Sequence, residues 1–154
     1  MRTLSLSACL LLWAAVTLHG QSASNSKAPT LSWGPAPAAF PSGARMAVVS
    51  GDPGKAAPFT VELSFPNGYR IPPHFHPTDE TVEVKKGVFL VGMGDMLDVA
   101  KTNAMKVGAS GKVPAGAHHY AVARGATVVA VSAMGPFAMT YVHPADDPRT
   151  APHP

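Results

Sequence analysis

Residues 68–87 read GYRIPPHFHPTDETVEVKKG, and the fold turns on how this stretch is read. Pro72 and Pro73 cannot donate to a central ladder, so the run entering them is a sheet edge or a loop entrance. In extended backbone, residues i and i+2 point to one face, about 7 Å apart. His74 and His76 can therefore converge on one ion. Pro77, Thr78 and Asp79 then give enough chain to turn a corner and return the carboxylate of Glu80. A His-x-His pair alone is weak evidence, because solvated or internally satisfied histidines give the same string. Asp79 reads as a solvated or turn residue.

A second string lies downstream. Gly108 is followed by Pro114-Ala115-Gly116 and then by His119. Pro114 presets a turn before the last candidate ligand. Gly68, Gly87, Gly108 and Gly116 fall where hairpin corners require positive φ or close approach. Together the two strings resemble the motifs of the cupin superfamily. The first is Gly, five residues, His-x-His, three or four residues, Glu, six residues, Gly. The second is Gly, five residues, Pro-x-Gly, two residues, His, three residues, Asn. The spacings agree throughout, and one fixed position departs: Ala123 stands where Asn is common. The departure touches no ligand, but it puts in doubt the hydrogen bonding usual at that corner.

The resemblance covers residues ~45–142 and implies an all-β, single-domain double-stranded β-helix, the cupin or jelly-roll barrel. It also implies a metal near one mouth, held by His74, His76, Glu80 and His119. Imidazole and carboxylate donors suit one divalent transition metal (Mn, Fe, Ni, Cu or Zn) and suit Ca or Mg poorly. Four protein ligands would leave two positions open on an octahedral ion, the mark of a catalytic rather than a closed structural site. Glu80 is the candidate catalytic residue, staying bound or serving as a base. Such cupins look like dioxygenases, isomerases, lyases or decarboxylases acting on small molecules, with oxygenase chemistry the leading reading. The alternative is a barrel that binds a metal or small ligand without turnover.

Alternation places His118 on the face opposite His119, as an outer or rim histidine, with a role near the ligands or substrate as the alternative. The same alternation turns Val82, Val84, Ala121, Ala123, Val129 and Val131 inward, predicting a plain apolar pocket. Tyr69, Arg70, Tyr120 and Tyr141 are the polar or aromatic groups expected near the mouth, as packing or surface groups rather than catalytic ones. The methionines form no Met-x-x-Met cluster and read as core filling.

Around the motifs, short β-like runs recur between Gly/Pro punctuation, as in a sandwich or barrel. Phe59, Val61, Leu63 and Phe65 alternate with Thr60, Glu62 and Ser64. The weak helical candidate is residues 96–105, which also fit a long turn. The expected boundaries are a Pro/Ala-rich arm over 24–43, the barrel over 44–143 and a surface tail over 144–154. An edge strand or the arm could serve a homodimer.

Residues 1–23 read as a signal peptide: Arg2, an apolar run over 8–16, and small residues around 20–24. The run is too short to cross a bilayer; a buried N-terminal helix or strand is the alternative. The chain is thus expected to be exported, periplasmic or secreted, with no membrane partner once the signal is removed. Cys9, the single Cys, precedes most of the apolar run, which argues against a lipid anchor; its loss leaves no disulfide or Cys ligand. The net charge of +3 is scattered, without the footprint of a nucleic-acid partner. Charged residues make up only 14%, with 14 Gly and 16 Pro, which fits many short strands rather than a helical bundle.

Overall fold

The structure, a computed structural model, describes residues 30–150. The signal-peptide reading and the last four residues of the tail lie outside them. Nine strands run in chain order: β1 (Gly34–Pro35), β2 (Arg45–Ser50), β3 (Pro58–Phe65), β4 (Arg70–Phe75), β5 (Glu80–Met93), β6 (Asn103–Lys106), β7 (Ser110–Val113), β8 (His119–Met134) and β9 (Thr140–Tyr141).

All pairings are antiparallel, and two long strands organise them. β5 and β8 pair along almost their full lengths, and both bend. The first half of β5 and the second half of β8 join β7 and β3, with β2 and β1 beyond. The other halves join β6 and β4, with β9 beyond β4. Two sheets thus share two strands and close on one core, the double-stranded β-helix expected from the sequence.

The bend has a local cause. The β5–β8 register slips around Lys86, next to Gly87 at φ +75°. A Cβ on Gly87 would lie 2.6 Å from Thr127 Oγ1 and 2.7 Å from the Ala126 carbonyl oxygen, so only glycine lets the strands cross this closely. Thr127 is fully buried and donates at 3.2 Å to the Val88 carbonyl and at 3.1 Å to that of Gly125. Gly68, Gly108 and Gly116 also have positive φ, as their spacing required. At the corner where Asn is common, Ala123 is buried in the core. There the Asn67 side chain accepts from the Gly125 amide at 2.7 Å.

β3 buries Phe59, Val61, Leu63 and Phe65, as its alternation predicted. Phe65 stacks on Tyr69 and Phe89. Side chains of this size each contribute about 1.5–3 kcal/mol on burial. The candidate helix over 96–105 is corrected: it is a short 3-10 turn, Val99–Lys101, followed by β6. The Asp98 carboxylate takes the Ala100 amide, and β6 finds its partner in distant β5. The Tyr120 hydroxyl donates to the Asp98 carbonyl, which ties this loop to the outside of β8.

The described part of the arm packs on its own barrel. β1 pairs with β2, and Phe40 is buried against Phe137. The Tyr69 and Tyr141 hydroxyls donate to the carbonyls of Pro41 and Ala39. At the other end, Arg149 bonds the Asp147 carboxylate and the Met139 carbonyl, folding that segment back on the barrel. Among the described residues, no helix is long and apolar enough to cross a membrane.

Candidate functional site

β4 brings His74 to the barrel mouth. Its ladder with β8 skips between Ile71 and His74, because Pro72 and Pro73 carry no amide proton. The freed carbonyls are used: that of Pro73 accepts the Val142 amide, and that of Pro72 accepts from His74 Nδ1. His74 lies in register opposite His119, the first residue of β8. His76 lies just past β4, and its carbonyl accepts the Gly116 amide at 2.8 Å. That bond ties the His-x-His corner to the Pro114–Gly116 turn that precedes His119.

Asp79 reinforces the same tie. Its carboxylate takes the Ala115 amide at 2.9 Å and meets the Lys112 ammonium at 2.6 Å. The Lys112 contact comes first among the causes that hold its pKa below the ordinary carboxylate value. The sequence had marked Asp79 only as solvated or a turn residue; it is exposed, yet it clasps two motif segments. Glu80 opens β5, where Glu80, Val82 and Val84 alternate inward.

The four candidate ligands converge. His74, His76, Glu80 and His119 are 3%, 5%, 7% and 4% exposed. One ring nitrogen from each histidine lies within 4.8 Å of the others. Glu80 Oε2 is 3.4 Å from His76 Nε2, and Oε1 is 3.5 Å from His119 Nε2.

Tautomers follow from the other ring nitrogens. His74 Nδ1 is 2.7 Å from the Pro72 carbonyl, His76 Nδ1 2.7 Å from that of Ala138, and His119 Nδ1 3.0 Å from that of Ala117. A carbonyl only accepts, so each Nδ1 carries a proton, and Nε2 is the ring atom left to meet a metal. Burial, and then the rings of His119 and His76, holds His74 well below its ordinary pKa, so it is neutral near pH 7. The Nε2 atoms of His76 and His119 thus face the Glu80 carboxylate oxygens in a buried space. A divalent cation fits this donor set, and the Nδ1–carbonyl bonds are the usual means of orienting histidine ligands.

The cluster opens on a cavity of about 170 Å³ inside the barrel. Val82, Ala121, Val129 and Val131 line it as expected, while Val84 and Ala123 are buried behind it. The lining is less plain than predicted: Phe40, Phe89, Phe137 and Met105 enter it. Phe137 packs against His76, with centroids 5.3 Å apart. The polar groups at the mouth are Asn103 and Lys112 rather than the four expected. Tyr69 and Tyr141 hold the arm, Tyr120 faces the outer loop, and Arg70 is exposed. His118 is on the outer side, stacked on Phe75 and 2.6 Å from Asp95. The core-filling reading of the methionines holds for Met139 but not for Met93, Met96 and Met134, which are exposed.

No family model matches the chain, and no curated protein does. Solved structures do. A putative acetylacetone dioxygenase from Methylibium petroleiphilum PM1 superposes with a TM-score of 0.58 at 23% identity, over 77% of this chain and 79% of that one. The polyketide cyclase RemF from Streptomyces resistomycificus gives a TM-score of 0.57 at 20% identity, over 68% and 75%. An RmlC-like cupin from Shewanella frigidimarina gives 0.51 at 18%, over 60% and 76%. At these identities the likeness is one of fold: this chain has the cupin fold. Its buried three-His cluster could hold a metal.

Proposed function

We propose that this chain is a metal-dependent cupin enzyme acting on a small molecule, with His74, His76, Glu80 and His119 holding one divalent transition metal. The observation that carries the reading is the set of buried imidazoles whose Nδ1 protons are all spent on carbonyls, beside a carboxylate and a largely apolar cavity. A bound metal would supply Lewis acidity and, for Mn, Fe, Ni or Cu, redox capacity. The chain's own part is to orient the ligands, exclude water with the apolar walls, and place Glu80 as the base nearest the reacting atoms. Dioxygenase-like chemistry is the leading reading, and lyase or isomerase chemistry the next. The solved structures of this fold include a putative dioxygenase and a cyclase, so the fold alone does not choose.

The test is elemental analysis of the native protein, followed by Glu80→Gln. Retained metal with at least a hundredfold lower turnover on a substrate of the wild type supports the enzyme reading. Turnover that persists with a redox-inert metal moves the chemistry to a lyase or isomerase. The lining carries no carboxylate besides Glu80, which favours a second reading, a non-catalytic binding protein. That reading wins if metal-loaded wild type consumes nothing across a substrate panel. We further read residues 1–23 as a signal peptide and the protein as exported. N-terminal sequencing of periplasmic or secreted protein should find a start near residue 24; an intact Met1 there overturns this.

A further inference from the structure

We propose that the cavity selects a compact oxygen chelator: a two-oxygen head with one negative charge on a short, unfunctionalised hydrocarbon body. This rests on the metal reading above. Size comes first. The cavity of about 170 Å³ is of the same order as an engineered cavity that holds benzene, so it covers a body of roughly six carbons.

The walls come next. Beyond the four candidate ligands, and with the Asn103 amide at the exposed mouth, the body would meet Phe40, Ile71, Phe89, Met105, Val131 and Met139. These offer hydrocarbon, aromatic faces and thioethers. A hydroxyl buried among them finds no partner, which costs roughly tenfold in affinity or more for each group. Sugars and sugar acids are therefore poor occupants.

Charge decides the head. Histidine ligates a metal as the neutral imidazole, so the three rings would add no charge to a metal held there, and Glu80 as a carboxylate ligand would contribute one negative charge. With a divalent cation the site is left with one positive charge, which a mono-anion cancels. A second negative charge at the far end of the ligand would sit against apolar wall without compensation. Lys112 is the fixed cation of the lining, but its ammonium is 2.6 Å from Asp79 at the exposed rim.

Three 2-hydroxy acids with the same head test this on the full chain loaded with Co²⁺: 2-hydroxyhexanoate, gluconate and 2-hydroxyadipate. Calorimetry reads affinity, and the visible Co²⁺ bands report whether the head reaches the metal. We expect 2-hydroxyhexanoate to shift the bands and to bind at least a hundredfold more tightly than the other two. Equal or tighter binding of gluconate or 2-hydroxyadipate overturns the proposal, as does failure of 2-hydroxyhexanoate to bind a site holding one equivalent of Co²⁺. Failure of Co²⁺ itself to bind removes the metal reading, and this proposal with it, which separates the two outcomes.

Discussion

Burial first, and the rings of His119 and His76 second, keep a proton off His74 far below the ordinary value of 6.5. In the unfolded chain that imidazole takes its proton near 6.5. Below that pH the unfolded state binds more protons than the folded one, so stability must fall as pH falls. Above it both forms are neutral and the contribution is flat. We therefore expect the urea midpoint of metal-free protein to hold steady between pH 8 and 7 and to decline below about 6.5. Part of that decline should vanish in His74→Gln, whose amide cannot take the proton. An identical slope in the variant would mean that other groups account for it. Acid should release metal over the same range, because protons and metal compete for one lone pair.

At the scale of elements, the corner around Gly87 should be the most demanding backbone position in the motifs. Gly87→Ala combines a left-handed φ, worth about 1 kcal/mol, with a Cβ forced against the Ala126 carbonyl at 2.7 Å. We expect a total loss of roughly 2–4 kcal/mol by denaturant unfolding. Gly116→Ala meets nothing within 4 Å and should cost about 1 kcal/mol, from φ alone. Equal losses would show that crowding at Gly87 relaxes freely. The arm offers a milder test. Tyr69→Phe and Tyr141→Phe each remove one hydroxyl bond to an arm carbonyl, and each should cost about 0.5–1.5 kcal/mol. Protease cleavage near Pro41 should rise in both.

These elements also show what could be read from the chain in advance. The meeting of His74, His76, Glu80 and His119 was legible because glycines and prolines at fixed spacing dictate corners, and corners dictate which side chains meet. β3 was legible because strict alternation has one meaning in a half-buried strand. The strand over Asn103–Lys106 was not, since its four residues, three of them exposed, carry no period and gain their structure from β5. Phe40 and Phe137 were missed as cavity walls for a related reason. They stand in irregular, proline-flanked segments, and only closure of the barrel decides where such segments cross. The arm carbonyls that claim Tyr69 and Tyr141 are 28 and 102 residues away, beyond any local pattern.

For the whole molecule, the site and the stability of the barrel are one equilibrium. The candidate ligands come from the end of β4, the corner beyond it, the start of β5 and the start of β8. A cation held among them therefore links segments 45 residues apart, from His74 to His119, that separate on unfolding. Binding to the folded state alone stabilises it by about 2.7 kcal/mol at a free metal concentration of 100 times Kd. For a domain of this size that corresponds to a rise in Tm of roughly 5–15 °C. We expect calorimetric scans with Mn, Fe, Ni, Cu or Zn to show such a rise for at least one metal, with reversal by chelator. His119→Ala should fold, since β8 keeps its pairing with β5 and β3, but its Tm should not respond to that metal. An equal rise in His119→Ala would place the cation elsewhere. No rise with any of the five would leave the ring nitrogens that converge beside Glu80 without a cation to explain them.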